Sequence, residues 1–387
     1  MMHPEFGMGS ERTRVVDGLG LIVGMIVGAG MFALPYAVSK AGLLWGVVHM
    51  TIALVVLTLI HLLYGEVVYV VRERHRLPGY ARMLLGHRAG QVATFSLFFG
   101  AFGALLAYGI LAGTFLHTLI PALHADVGTL LFLFLLPLIL RMDSGHIGEF
   151  SFAVLAIFIT AIFGMALIAF PEFSMSNFVF ANNANWFLPF GVFFFAFGGA
   201  AIVPEIAEMF HKREGRVFEW VLVGGTLIPA VLYVVFIALV LGVTGEATTP
   251  DAVTGLGAML GSTIALLGAV LGLIAVSTSF VSFGLDSKNT LSGDYGFSKN
   301  RAWTLVLLLP AMLFLFGARD FVSVISVLGT IAVGIDGILI LMLARAARKS
   351  HQHPKGFFPI GRIVPIVLMA IFGAGILWEL GIALGTQ

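Results

Sequence analysis

The sequence contains no cysteine. That excludes disulfides, thiolate metal centres and a cysteine nucleophile. Charge is scarce as well: Asp, Glu, Lys and Arg make up 11% of 387 residues, against a hydrophobic fraction of 59%. Mean hydropathy is +1.04. A water-soluble chain of this length needs a polar surface that such a composition does not supply. No Gly-x-x-x-x-Gly-Lys phosphate loop is present, so pumping would have to draw on an ion gradient. The histidines lie mostly in or beside loops and form no cluster with metal-ligand spacing. No loop resembles a soluble catalytic domain, and no ring of charges or repeated filter sequence suggests a channel. An enzyme and a nucleic-acid partner are not expected.

What is present is apolar sequence in long runs. Eleven spans are expected, at roughly 15–39, 43–70, 91–120, 127–140, 147–170, 187–210, 217–243, 257–285, 301–317, 320–344 and 360–384. The fourth is short. Threading the chain through a membrane in this order puts all but two of the 21 Lys and Arg residues on one side, the exceptions being Lys40 and Arg319. A span missed or invented early in the chain would destroy that asymmetry. The expectation is one all-α transmembrane domain over 1–387, multi-pass in the plasma (inner) membrane, with the N-terminus cytoplasmic and the C-terminus outside. Residues 1–13 are polar and the first apolar stretch is too long for a signal-peptide core, so no cleavable signal is expected.

The first span carries Gly24, Gly28 and Gly30 in its middle, with Pro35 following. Each interior Gly costs about 1 kcal/mol of helix propensity relative to Ala, and Pro removes a backbone donor. Span 6 repeats the pattern: Gly198 and Gly199 interrupt it and Pro204 follows. The two interruptions are five spans apart, an odd number, so the second enters from the opposite face. Packing by small residues accounts for one such span, since Gly24 and Gly28 also form a GxxxG pair. Two in matching places with inverted orientation point to an inverted-repeat transporter.

Three stretches carry a resemblance. They are Val-Gly-Ala-Gly-Met-Phe-Ala-Leu-Pro-Tyr-Ala-Val-Ser-Lys-Ala-Gly in span 1, Ala-Phe-Gly-Gly-Ala-Ala-Ile-Val-Pro-Glu-Ile in span 6, and Thr-Ser-Phe-Val-Ser-Phe-Gly-Leu-Asp at 278–286. Over roughly 14–345 the chain resembles the amino acid/auxin permease group, including its bacterial aromatic amino acid permeases, within the amino acid–polyamine–organocation superfamily. The resemblance implies a LeuT-type fold of 11 transmembrane helices with broken helices 1 and 6. Inverted repeats would cover about 14–170 and 186–345, with an extra helix at about 360–384. It implies secondary active transport of an amino acid, the pairs 1/2 and 6/7 rocking against the other spans.

Unwinding a helix leaves free N–H groups on one half and free C=O groups on the other. The half-helix after Gly28-Ala29-Gly30 would turn its positive end to a substrate carboxylate. Carbonyls near Phe195, Ala196, Phe197, Gly198 and Gly199 would take the ammonium. Val27 adjoins the first break, and Tyr108 would donate to the carboxylate as the span 3 tyrosine of this fold does. Its other reading is a packed aromatic. Phe193, Phe194, Phe195 and Phe197 would form the gate and side-chain pocket. With an apolar lining, the expected substrate is a neutral amino acid, apolar or aromatic.

The coupling ion is left open between sodium and a proton, and no other cofactor is expected. The resemblance implies a sodium site from the carbonyls of Gly24 and Val27 and the hydroxyls of Thr278 and Ser279, with Ser277 as an alternative by one residue, an oxygen-only set suited to a hard cation. The competing reading has those hydroxyls back-bonded to their own helix. A proton would need a membrane carboxylate: Glu205 after the break, or Glu66, Glu208 or Asp336. Asp17 and Asp286 would belong to an inner gate, paired with Arg14 or Lys288. The expected partners are a small-molecule amino acid and the lipid bilayer. Nothing in the sequence sets the oligomeric state. The alternative from another class is a membrane sensor that binds an amino acid on this scaffold without moving it.

Overall fold

The computed structural model describes residues 10–71, 75–141, 160, 164, 165, 167–211, 213–350, 361 and 363–385. Among these the chain is helical with no strand. The first span is two pieces: α1 (Glu11–Ile26), and a 3-10 turn Ala29–Ala33 running into α2 (Leu34–Ala41), bent by 47° between them. Then follow α3 (Leu43–Val70), the short α4 (Leu77–Leu85), α5 (His87–Leu119) and α6 (Ala125–Leu135), which ends in a 3-10 stretch Leu136–Arg141. Most of the expected fifth span, 147–170, lies outside the described residues. The sixth is again two pieces, α7 (Leu188–Ala196) and α8 (Val203–Glu208), separated by a 3-10 turn Ala200–Ile202. The chain continues as α9 (Gly215–Thr244), the short α10 (Val253–Leu260), α11 (Ser262–Gly293), α12 (Lys299–Leu315) and α13 (Phe321–Val327). A π-helical turn Leu328–Ala332 joins α13 to α14 (Val333–Ser350), and α15 (Ile363–Ala383) follows.

Among the described residues, seven helices are long and apolar enough to cross a membrane, and the bent first pair makes an eighth. The exposed side chains of α3, α9, α11 and α15 are largely Val, Leu and Ile, as lipid contact requires. The prolines that follow the glycines have a different role from breaking the helix. Pro35 and Pro204 each sit in the first turn of the second half-helix, where a missing N–H costs nothing. The glycines open the helix and the proline restarts it.

The two ends of the bundle differ. At one end Phe32, Phe115 and Phe236 meet edge to face, with Phe32 5.4 Å from Phe115 and 6.3 Å from Phe236. The segment before α7 forms a strap across this end. Val179 O and Phe180 O accept from the N–H groups of Leu43 and Leu44, the Asn182 N–H donates to Ala41 O, and Asn177 Nδ2 donates to Gly242 O. Gly42, with φ +86°, makes the turn beneath that strap, and a Cβ there would lie 2.6 Å from Ala181 Cα. At the opposite end a cavity of about 1510 Å³ opens between α3, α4, α5, α8 and α11.

Candidate functional site

The two breaks lie side by side. A Cβ built on Gly30 would come within 2.9 Å of Phe195 Cδ1 and 3.2 Å of Ala196 Cα, and one on Gly199 within 2.9 Å of Ile26 Cγ1. Residues 165 to 173 positions apart in sequence therefore share one point in the middle of the bundle. Val27, Ala29, Gly30, Ala196, Phe197 and Gly199 are buried there, while Gly28, Phe195 and Gly198 are half-buried. Met25, Ala200, Ala201 and Ile202, next to the breaks, line the cavity, whereas residues 27–30, residues 195–199 and Tyr108 are not part of its lining.

The backbone accounts for itself up to each break and then stops. Val27 N donates to Val23 O at 2.7 Å and Phe197 N to Phe193 O at 2.9 Å, closing the first half-helices. Past those points Ile26 O and Ala196 O have no donor four residues on. Both are taken by one side chain: the Tyr233 hydroxyl of α9 lies 2.7 Å from Ile26 O and 2.9 Å from Ala196 O. Tyr233 is fully buried, its ring 5.1 Å from that of Phe197. On the other side of the first break, Gly28 O accepts from Met31 N at 3.2 Å. The N–H groups at the head of that 3-10 turn precede any carbonyl that could pair them within it. One break thus presents donors and both present carbonyls.

Tyr108 is buried on α5, edge to face with Phe283 at 5.8 Å, and its hydroxyl has no hydrogen-bond partner among the described residues. Of the phenylalanine run, Phe197 packs on Phe193 and Tyr233. Phe194 faces away from the breaks, against Phe190 and Phe372. Phe195 is the ring that lies on Gly30.

His61 of α3 is fully buried at the same junction, where a Cβ on Gly199 would lie 3.3 Å from its Cε1. The Thr226 hydroxyl donates to Leu222 O, so it accepts from His61 Nδ1–H at 3.1 Å. That leaves His61 Nε2 with no hydrogen-bond partner among the described residues. Sequence reasoning missed Tyr233 and His61. Each is one of several polar residues scattered along a long apolar helix, and only the fold brings these two to the breaks.

The sodium candidates are partly assembled. Ser279 Oγ faces the first break, 3.6 Å from where a Cβ on Gly28 would be, and has no hydrogen-bond partner among the described residues. Thr278 Oγ1 donates to Ala275 O at 2.9 Å, the back-bonded arrangement, which spends its hydrogen but leaves its lone pairs. Gly24 is exposed, and a Cβ there would meet nothing within 4 Å. Val27 is buried. Among the described residues, no group of three His, Cys, Asp or Glu side chains comes together as a metal site.

The carboxylates fall into two sets. Glu66 is buried and accepts from Arg348 at 2.8 and 2.5 Å, tying α3 to α14. Glu205, Glu208, Asp286 and Asp336 line the cavity, with Arg76 among them. Glu205 makes no ion pair among the described residues, and Asp336 Oδ1 has no hydrogen bond. The gate partners differ from expectation. Asp286 pairs with Arg76 at 2.5 Å, and Arg76 also donates to Thr290. Arg14 pairs with Glu214, beside the start of α9, and Asp17 makes no ion pair among the described residues.

Comparison with known proteins gives the family and the fold. The profile of the tryptophan/tyrosine permease family matches residues 11–379. The tryptophan-specific transport protein of Shigella flexneri is 27% identical over 93% of each chain. The crystal structure of MhsT in complex with L-phenylalanine superposes with a TM-score of 0.66 at 15% identity, covering 96% of this chain and 98% of that one. The likeness to MhsT is a likeness of fold, and the fold is LeuT-like.

Proposed function

The chain belongs to the tryptophan/tyrosine permease family, and on that premise we propose that it carries a neutral amino acid, apolar or aromatic, across the plasma membrane by alternating access. The observation that carries the proposal is the meeting of two helix breaks beside a large cavity whose lining includes Met25 and Ala200 to Ile202. The donor end of the first break takes the carboxylate, with the Tyr108 hydroxyl beside it. Carbonyls of the two breaks take the ammonium. Backbone dipoles read both charges of the zwitterion, so no charged side chain has to sit in the membrane centre, where it would cost about 3 kcal/mol or more. The relatives named above carry tryptophan and bind phenylalanine, which supports an aromatic side chain against Phe195.

Eleven spans, with inverted repeats over about 14–170 and 186–345 and an extra helix at 360–384, are the arrangement that such a cycle uses. The N-terminus is cytoplasmic, and the cavity then opens inward. A proton or a sodium ion drives the cycle. Sodium would lie between the first break and Ser279, and a proton would use a cavity carboxylate such as Glu205. The test is uptake of a mixed amino acid pool into proteoliposomes under a sodium gradient and, separately, a pH gradient. Accumulation under one of them is the expected result. Binding without accumulation under either gradient, and without exchange, would replace transport by sensing.

A further inference from the structure

We propose that the Tyr233 hydroxyl is the empty carrier's internal substitute for the substrate's ammonium group. The inference rests on the transport reading above, in which carbonyls of the two breaks receive the ammonium. Ile26 and Ala196 are the last residues of α1 and α7, and their carbonyls are the ones the breaks set free. Tyr233 comes from a third span and reaches both, at 2.7 and 2.9 Å. Ile26 and Ala196 are buried, so their carbonyls need a hydrogen-bond donor inside the bundle.

Donor counting then separates the two states of the carrier. A phenol has one hydrogen and faces two acceptors, so it serves them by sharing or alternation. A primary ammonium has three hydrogens and a full positive charge, and it serves both carbonyls at once with stronger bonds. The hydroxyl is therefore most needed when the site is empty. It holds the two half-helices together on the return journey, when no substrate bridges them. The loaded carrier has the ammonium in its place. Tyr233 is thus a positioning residue for the empty return.

Tyr233→Phe isolates the hydroxyl, because the ring against Phe197 is kept, and Tyr233→Leu removes both. In proteoliposomes, net uptake requires the empty return, whereas exchange of internal for external substrate does not. With radiolabelled L-phenylalanine and L-tryptophan, Tyr233→Phe is expected to slow net uptake about tenfold, the scale of one buried acceptor losing its donor. Exchange is expected to stay within about twofold on the same scale, with no rise in the half-saturating concentration. Equal losses in uptake and exchange, or a tenfold rise in half-saturation, would overturn the inference, because the hydroxyl would then serve the loaded state. Melting in detergent gives a second reading that needs no flux. The variant should melt lower than wild type when empty and be stabilised more by added L-phenylalanine. An equal ligand-induced shift in both proteins counts against the inference. A wild-type protein that neither exchanges nor is stabilised by either amino acid would overturn the transport reading itself, and this inference with it.

Discussion

Gly329 packs directly on the backbone of Gly191. A Cβ built at 329 would lie 1.8 Å from Gly191 O, and one built at 191 would lie 2.2 Å from Ser326 O. The contact presses the π-helical turn Leu328–Ala332 against α7 one turn before the second break. Gly329→Ala puts a methyl against backbone, which no rotamer change relieves. A loss of about 1–3 kcal/mol is expected, the usual cost of overpacking. It should appear as a lower melting temperature in detergent. Gly373→Ala in α15 is the control: nothing lies within 4 Å of its Cβ position, so relief of glycine's entropy should leave it neutral or slightly stabilising. If the two variants melt alike, the close approach of spans 6 and 10 is wrong.

Gly28 and Gly30, two residues apart, should respond differently to the same change. Gly28 has φ −138° and ψ −159°, extended backbone open to any residue, and its Cβ would meet only Ser279 Oγ at 3.6 Å. A Cβ on Gly30 would press on Phe195 and on the Ala196 backbone. Gly28→Ala should fold and reach the membrane normally, and any loss should show as altered ion dependence of uptake. Gly30→Ala should force the breaks apart and reduce uptake at least about tenfold, the equivalent of about 1.4 kcal/mol. Uptake assays on both, normalised to protein in the membrane, decide it. Equal activities would mean that the two breaks do not touch as described.

The breaks themselves were legible because glycine and proline are costly inside a helix and rarely stand there without cause. What lies across from them was not legible. Tyr233 is separated from Ile26 by 207 residues and from Ala196 by 37. In sequence it is one aromatic in an apolar span, with the spacing of a core residue. The ion pairs show the same limit. Asp17 stands three residues from Arg14 and looks like its partner, but the partner is Glu214, 200 residues away. Lys288 is two residues from Asp286, yet two positions on a helix point to different faces, and Arg76 takes the carboxylate instead. Local spacing reveals neighbours along a helix. Pairs across the bundle depend on how the spans pack.

Glu66 and Arg348 make an asymmetric pair. The Glu66 side chain is 4% exposed and that of Arg348 29% exposed. Replacing Glu66 leaves a guanidinium that still reaches solvent, so Glu66→Met should cost roughly 1–3 kcal/mol. Replacing Arg348 takes the guanidinium from a carboxylate inside the protein, and Arg348→Met should cost more, about 3–5 kcal/mol. The double variant should be closer to wild type than the two losses added. Thermal melts of the three variants in one detergent test the order. A double variant that shows the full sum would mean that the two groups act independently.

Glu214 lies outside the membrane-spanning segments and carries an assignable pH dependence. Its carboxylate accepts from the His211 N–H at 2.8 Å and from the Arg14 guanidinium, beside the start of α9. The His211 backbone bond and then Arg14 hold its pKa below the ordinary 4.5. A folded-state pKa below the unfolded value adds stability that is fully present above the unfolded pKa. That stability is lost as pH falls through the folded one. The latch between α1 and α9 should therefore hold at neutral pH and weaken only in acid. Melting temperatures measured in detergent between about pH 3 and 7 should be flat at first and then fall as the carboxylate protonates. Glu214→Gln should start lower at neutral pH and lose less on acidification, because it has no proton to gain. Arg14→Met should keep part of the acid loss, since the His211 N–H remains. Identical acid slopes for wild type and Glu214→Gln would show that the latch does not titrate as described.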